Sequence, residues 1–197
     1  LGQALSAAAQ TVPAERPVHS FHAYFLKMGD VKRPIVYDVD RIRDGGSFTT
    51  RRVVAIQGGE AIFNLAASFQ KVEAGFEHQD VMPLAPSPDS LISENERLRP
   101  YQDRVPSWLR DEVLAERPFE MKSAEPTDDP LAPVARPPHR MIWLRARGKL
   151  PDTPALHSYL LAYASDFSFV TTALLPHAET WLSGKLQVAS LDHVMWF

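Results

Sequence analysis

The 197-residue sequence contains no cysteine, which excludes disulfides, a thiolate metal site and a cysteine nucleophile within it. It has no basic surplus either. The 21 Lys and Arg are set against 24 Asp and Glu, a net charge of -3, and nothing in that balance points to nucleic acid or an anionic membrane surface. No apolar run approaches the roughly 20 residues of a membrane-spanning helix. The opening "LGQALSAAAQ" lacks the charged region and long apolar core of a signal peptide, so the cytoplasm is the expected compartment. There is no G-x-S-x-G elbow, phosphate-binding loop, dinucleotide fingerprint or H-E-x-x-H. No two histidines have metal-ligand spacing on one element. What these absences leave is an acid-based, metal-free mechanism or a binding role.

What is present reads as two helix-and-sheet units. "LGQALSAAAQTVP" is a helix already in progress, with Leu1, Leu5 and Ala8 on one face and Pro13 as its stop. Four strand-like runs follow: "VHSFHAYFL", "PIVYDVDRI", "SFTTRRVVAI" and "AIFNLAASFQ". The last three are separated by the turn signals "DGGS" and "QGGE", the second joining a long antiparallel hairpin. Residues 83–138 hold eleven of the seventeen prolines and are expected to be a solvated linker, or else a crossover that packs on the domains. One short amphipathic helix is expected there, over Pro106 to Ala115. A second unit then begins with the strand "HRMIWLRARG". A helix of about twenty residues is expected next, with Leu156, Tyr159, Leu160, Tyr163, Phe167, Val170 and Leu174 as its apolar stripe. Asp152 or Thr153 can cap it, and Pro176 ends it. The closing strand is "LQVASLDHVMWF". The expected divisions are 1–82, 83–138 and 139–197, in an α+β fold whose units each wrap an antiparallel sheet around a long helix.

One acidic residue stands out. By strand alternation Asp192 shares a face with Leu186, Val188, Ser190, Val194 and Trp196, in a run apolar on both faces. That pattern predicts a central strand, in which a carboxylate must be paired, hydrogen-bonded or put to use. A structural role, capping a loop or helix end, is the competing reading. Asp166, beside the helix stripe, is expected to bond a nearby loop, with an active-site role open. His19 and His22 fall on opposite faces of their strand, and His22 can line a cleft. His193 points away from Asp192, so the neighbours form no local dyad.

The longest motifs resemble one known family. "VHSFHAYFLKMGD", "PIVYDVDRIRDGGSFTTRRVVAIQGGEAIFNLAASFQ" and "EAGFEHQDVMP", then "PPHRMIWLRARGKLPD", "LHSYLLAYASDFSFV" and "LDHVMWF", closely resemble acyl-CoA thioesterase II in the same order. The resemblance implies a double hot-dog fold and metal-free, cofactor-free hydrolysis of acyl-CoA to a free fatty acid and CoA. It implies that Asp192 is the catalytic acid, acting on water with a Thr or Ser and a Gln from strands further along the family chain. It also implies an acyl channel along Tyr159, Tyr163 and Phe167, and homo-oligomers formed through the sheets. The family's opening strand, the Gly-rich start of its first helix and its last strands are expected to be missing, as in a fragment. A non-catalytic hot-dog protein that binds acyl-CoA or partner subunits is the alternative. A hot-dog hydratase is disfavoured, because no "D-x-N-P-x-H" segment occurs.

Overall fold

The structure is a computed structural model describing residues 1–125 and 129–197, with only the backbone at Glu112 and Val113. In chain order the elements are α1 (Gly2–Ala9), β1 (Val18–Phe25), β2 (Val36–Asp44), β3 (Phe48–Gln57), β4 (Glu60–Gln70), α2 (Glu94–Leu98), α3 (Ser107–Leu114), β5 (Phe119–Ser123), β6 (Ile142–Ala146), α4 (Pro154–Ala164), α5 (Phe169–Leu174) and β7 (Asp192–Trp196). Tertiary contacts gather them into two units. The first is Leu1–His78 with Asp152–Asp166 and Ser190–Phe197, and the second is Gln79–Pro151 with Phe167–Ala189. Strand β7 is grouped with β1, its pairing partner. It is also shorter than expected, because regular pairing begins only at Asp192.

In the first unit a five-stranded antiparallel sheet runs in the order β2-β3-β4-β1-β7. The β3–β4 hairpin turns on Gly58 and Gly59, with φ of 61° and 85°. That is the left-handed region a two-residue hairpin turn requires, and glycine enters it without a Cβ clash. Alternation sends Val53, Ala55, Leu65, Ala67 and Phe69 to one face, where they meet Leu5 and Ala8 of α1. Each fully buried large side chain, such as Leu5 or Phe69, contributes on the order of 1.5–3 kcal/mol.

Helix α1 also lies against α4. The contact is close because Gly2 has no side chain: a Cβ there would meet the Tyr159 carbonyl oxygen at 2.5 Å and the Tyr163 Cβ at 3.2 Å. Helix α4 buries its small residues, Ala162 and Ala164, while Leu161 and Tyr163 stay exposed. The expected twenty-residue helix is thus two shorter ones. After Ala164, the Ser165 hydroxyl bonds back to the Ala162 carbonyl and Asp166 turns to another segment. Ser and Asp compete with the helix for its own backbone groups in this way.

Arg51 points from β3 into this core and is 1% exposed. Its Nε donates to Thr11 Oγ1, its Nη1 to the carbonyls of Arg43 and Thr50, and its Nη2 to the Thr11 carbonyl and Asp44 Oδ1, at 2.6–3.1 Å. All five guanidinium donors are thereby satisfied. The segment leaving α1 is tied to the β2–β3 hairpin, and a charge that would be costly if unpaired is neutralised.

The second unit occupies most of the expected linker and is structured. Helix α3 forms where the amphipathic pattern predicted one. Helix α2 was not foreseen, although "SENE" carries its signature: Ser93 Oγ accepts from the Glu96 N–H while Glu96 Oε2 accepts from the Ser93 N–H. Strands β5 and β6 pair antiparallel, and Val105, Leu109 and Leu182 form a small core. Pro100 and Pro106 lie at the starts of helical turns, where a missing N–H costs little. Proline density marked punctuation in this segment, between short elements that have a small core of their own.

Replacing Arg51 with Met should lower unfolding free energy by about 2–4 kcal/mol, read from urea midpoints, because the Thr11 and Arg43 carbonyls lose their partners. Asp44 gives a pH signature. The Arg51 hydrogen bond holds its carboxyl below the usual aspartate range. Its contribution is complete above about pH 5 and is lost as pH falls through the lowered folded value. The stability gap between the natural protein and Asp44→Asn should therefore close in acid; a gap unchanged down to about pH 2 would contradict the pairing. Gly2→Ala should cost about 1–3 kcal/mol by forcing α1 off α4, visible as a lower melting temperature.

Candidate active site

Among the described residues β7 stands at one edge of the sheet, paired with β1, whereas a central strand was expected from the apolar neighbours of Asp192. Alternation holds for Asp192, Val194 and Trp196, whose outer face is open, but not for Leu186, Val188 and Ser190, which precede the strand; Ser190 bonds Asp166 instead. Asp192 is exposed at the head of the strand, directly across from Tyr24 of β1, and the cross-strand row continues to Asn64 of β4. His22 lies on the same face and stacks on Tyr24, with ring centroids 5.1 Å apart. Val194 is opposite His22, and Trp196, 71% exposed, is opposite Ser20. The outer surface beside the aspartate therefore combines two aromatic rings, an imidazole and an amide. A carboxylate in that setting meets water directly and can accept its hydrogen bonds.

His19 is separate. It turns the other way, edge-on to Phe48 with ring centroids 6.0 Å apart, and its Nδ1 is 3.1 Å from Ser20 Oγ. The two histidines of β1 thus do not act together, as their spacing predicted.

Behind Asp192, on the core face, lies a polar cluster that alternation alone did not reveal. His193 is 6% exposed and stacks on Phe21 at 5.8 Å. Its Nε2 is 2.9 Å from Ser165 Oγ, at the end of α4, and its Nδ1 is 3.5 Å from Asp166 Oδ1. The Ser190 hydroxyl lies 2.9 and 3.0 Å from the two Asp166 oxygens and donates to them. Asp166 is acceptor-only when ionised, so the ring nitrogen facing it is attracted only when it carries the proton. Asp166 accordingly takes the loop-bonding role expected of it. The missed signal was combined: Ser165 and Asp166 at a helix end, and Ser190 and His193 flanking Asp192.

Among the described residues no three His, Asp or Glu side chains gather as metal ligands, and no helix is long and apolar enough to cross a membrane.

The chain resembles known proteins along its whole length. Residues 1–70 match the family profile described as "Acyl-CoA thioesterase N-terminal domain", and residues 110–197 match that described as "Acyl-CoA thioesterase". The whole chain is 40% identical over 197 residues to acyl-CoA thioesterase 2 of Haemophilus influenzae, covering 68% of that protein. It superimposes along its whole length on acyl-CoA thioesterase II TesB2 from Mycobacterium marinum, with TM-score 0.76, 40% identity and 68% of that chain covered. A hot-dog protein of unknown function from Alicyclobacillus acidocaldarius shares the fold at TM-score 0.66 and 16% identity, with all of this chain and 64% of that one covered. The chain spans 63–68% of the length of the curated relatives that it matches from end to end.

Proposed function

Because the chain belongs to the acyl-CoA thioesterase family and has its hot-dog fold, we propose that the protein carrying it hydrolyses acyl-CoA thioesters to free fatty acid and CoA, with Asp192 acting on the attacking water. The observation that carries this reading is the 40% identity maintained over all 197 residues, through the matched segment that contains Asp192. The solvent-facing position of the carboxylate supports it.

In the proposed reaction Asp192 accepts a hydrogen bond from a water molecule and takes its proton as the water oxygen attacks the thioester carbon. The carbonyl π pair moves to oxygen, and the resulting oxyanion is stabilised by N–H donors. Collapse of the tetrahedral intermediate breaks the C–S bond. A thiolate is a good leaving group, with a thiol pKa of roughly 8.5, so no strong general acid is needed. The proton held by Asp192 returns to the thiolate through solvent.

In the same proposal, 1–82 and 139–197 are two hot-dog units joined by 83–138. The order helix then strand occurs in both, as α1–β1 and α4–β7. The antiparallel pairing of β1 with β7 and the contact of α1 with α4 support their equivalence. Association of copies through their sheets and a cytoplasmic location complete the proposal.

The test uses the protein at its natural full length, assayed on acyl-CoAs of several chain lengths. Asp192→Asn should lower kcat at least about 100-fold, with a much smaller change in KM. Near-normal turnover by that variant would remove Asp192 from the reaction. Acyl-CoA binding without turnover by the natural protein would favour the non-catalytic alternative.

A further inference from the structure

We infer that His193 is a positioning residue for Asp192: the Ser165–His193 and Asp166–Ser190 contacts clamp the strand on both sides of the aspartate and fix where its carboxylate is presented. The inference rests on the proposed role of Asp192 and adds the device that holds it.

Asp192 is the first regular residue of β7, and no regular structure precedes it from Lys185 to Leu191. Such a strand start is free to shift unless something outside the ladder holds it. Two side chains do so. Two residues before Asp192, Ser190 donates to both oxygens of Asp166; one residue after it, His193 reaches Ser165 and Asp166. Both anchors belong to consecutive residues at the end of α4, and Ser165 is itself fixed by its bond to the Ala162 carbonyl at 3.0 Å. The backbone adds one further link, the Phe25 N–H to the Leu191 carbonyl at 2.9 Å. The carboxylate thus projects outward from a backbone pinned from behind.

Burial argues that the imidazole is held for a purpose beyond filling space. The neighbouring inward positions are Phe21, Ala23 and Met195, so an apolar ring would satisfy the packing. A buried polar ring needs partners, and one of the two found, Asp166, also fastens Ser190. Catalytic geometry is sensitive to such support: a 1 Å displacement of a reacting group can cost on the order of 100-fold in rate.

The experiment is a double-mutant cycle in the full-length protein. His193→Phe keeps a ring stacked on Phe21 and removes both nitrogen contacts. It should lower kcat about 10–100-fold, leave KM within about threefold, and have no further effect in the Asp192→Asn background. An unchanged kcat, or an equal loss in both backgrounds, would overturn the inference. If His193→Phe does not melt cooperatively, Ser190→Ala is measured in the same cycle, with the same loss expected and the same result overturning it. Full activity of Asp192→Asn alone would sink the assignment of Asp192 and this inference together. An inactive Asp192→Asn beside a fully active His193→Phe would sink only the inference.

Discussion

The candidate site depends on the register in which β7 meets β1. Tyr24 faces Asp192 and Ala23 faces His193. Strand periodicity is two, so a slip of one residue would exchange the faces of every side chain in β7. The carboxylate would turn into the core, and the imidazole would leave Ser165 and Asp166 for solvent. Adjacent polar residues with opposite needs make the observed register much better than its neighbours. The outer residue remains hydrated, and the inner one finds hydrogen-bond partners in place of water. Strand pairing thereby selects which of two neighbouring ionisable groups faces solvent.

The scaffold behind that register is held by small residues and one saturated cation. Gly2 lets α1 approach the backbone of α4 closely, and Ala162 and Ala164 are the buried residues of that helix. Arg51 then fastens the far end of the α1 segment to the β2–β3 hairpin through all of its donors. The two ends of the unit are fixed by different physics, close van der Waals approach at one and directional charge-assisted bonds at the other. A lysine in place of Arg51 would supply the charge but lack the planar fork that reaches five acceptors.

Local patterns were legible wherever a single period or turn decided the outcome. The strands of 18–70 stand where alternation and the Gly-Gly turn put them, and α3 stands where its amphipathic pattern predicted. The failures share a cause. The twenty-residue helix was read from an apolar stripe, but Ser165 and Asp166 divert their hydrogen bonds and end it after Ala164. The proline-dense middle was read from composition, which does not register capping boxes or a small core. Asp192 drew notice as an acid in an apolar run. Its exposure follows from strand order, and strand order is not written in any one segment. The cluster around His193 joins positions from two distant segments, so no local reading could assemble it.

Strand β7 comes from the far end of the chain, while β1 to β4 are neighbours in sequence joined by short connections. Contacts between near neighbours form faster than those that must close a long loop. On the ribosome the first four strands emerge long before residue 192, and N-terminal elements fold first. The edge of β1 must then wait, unpaired, for the short strand that brings Asp192 and His193 to it. Scaffold and candidate site are in this way separated in time: the core beneath β1 to β4 forms early, and the Asp192 carboxylate is set beside it later.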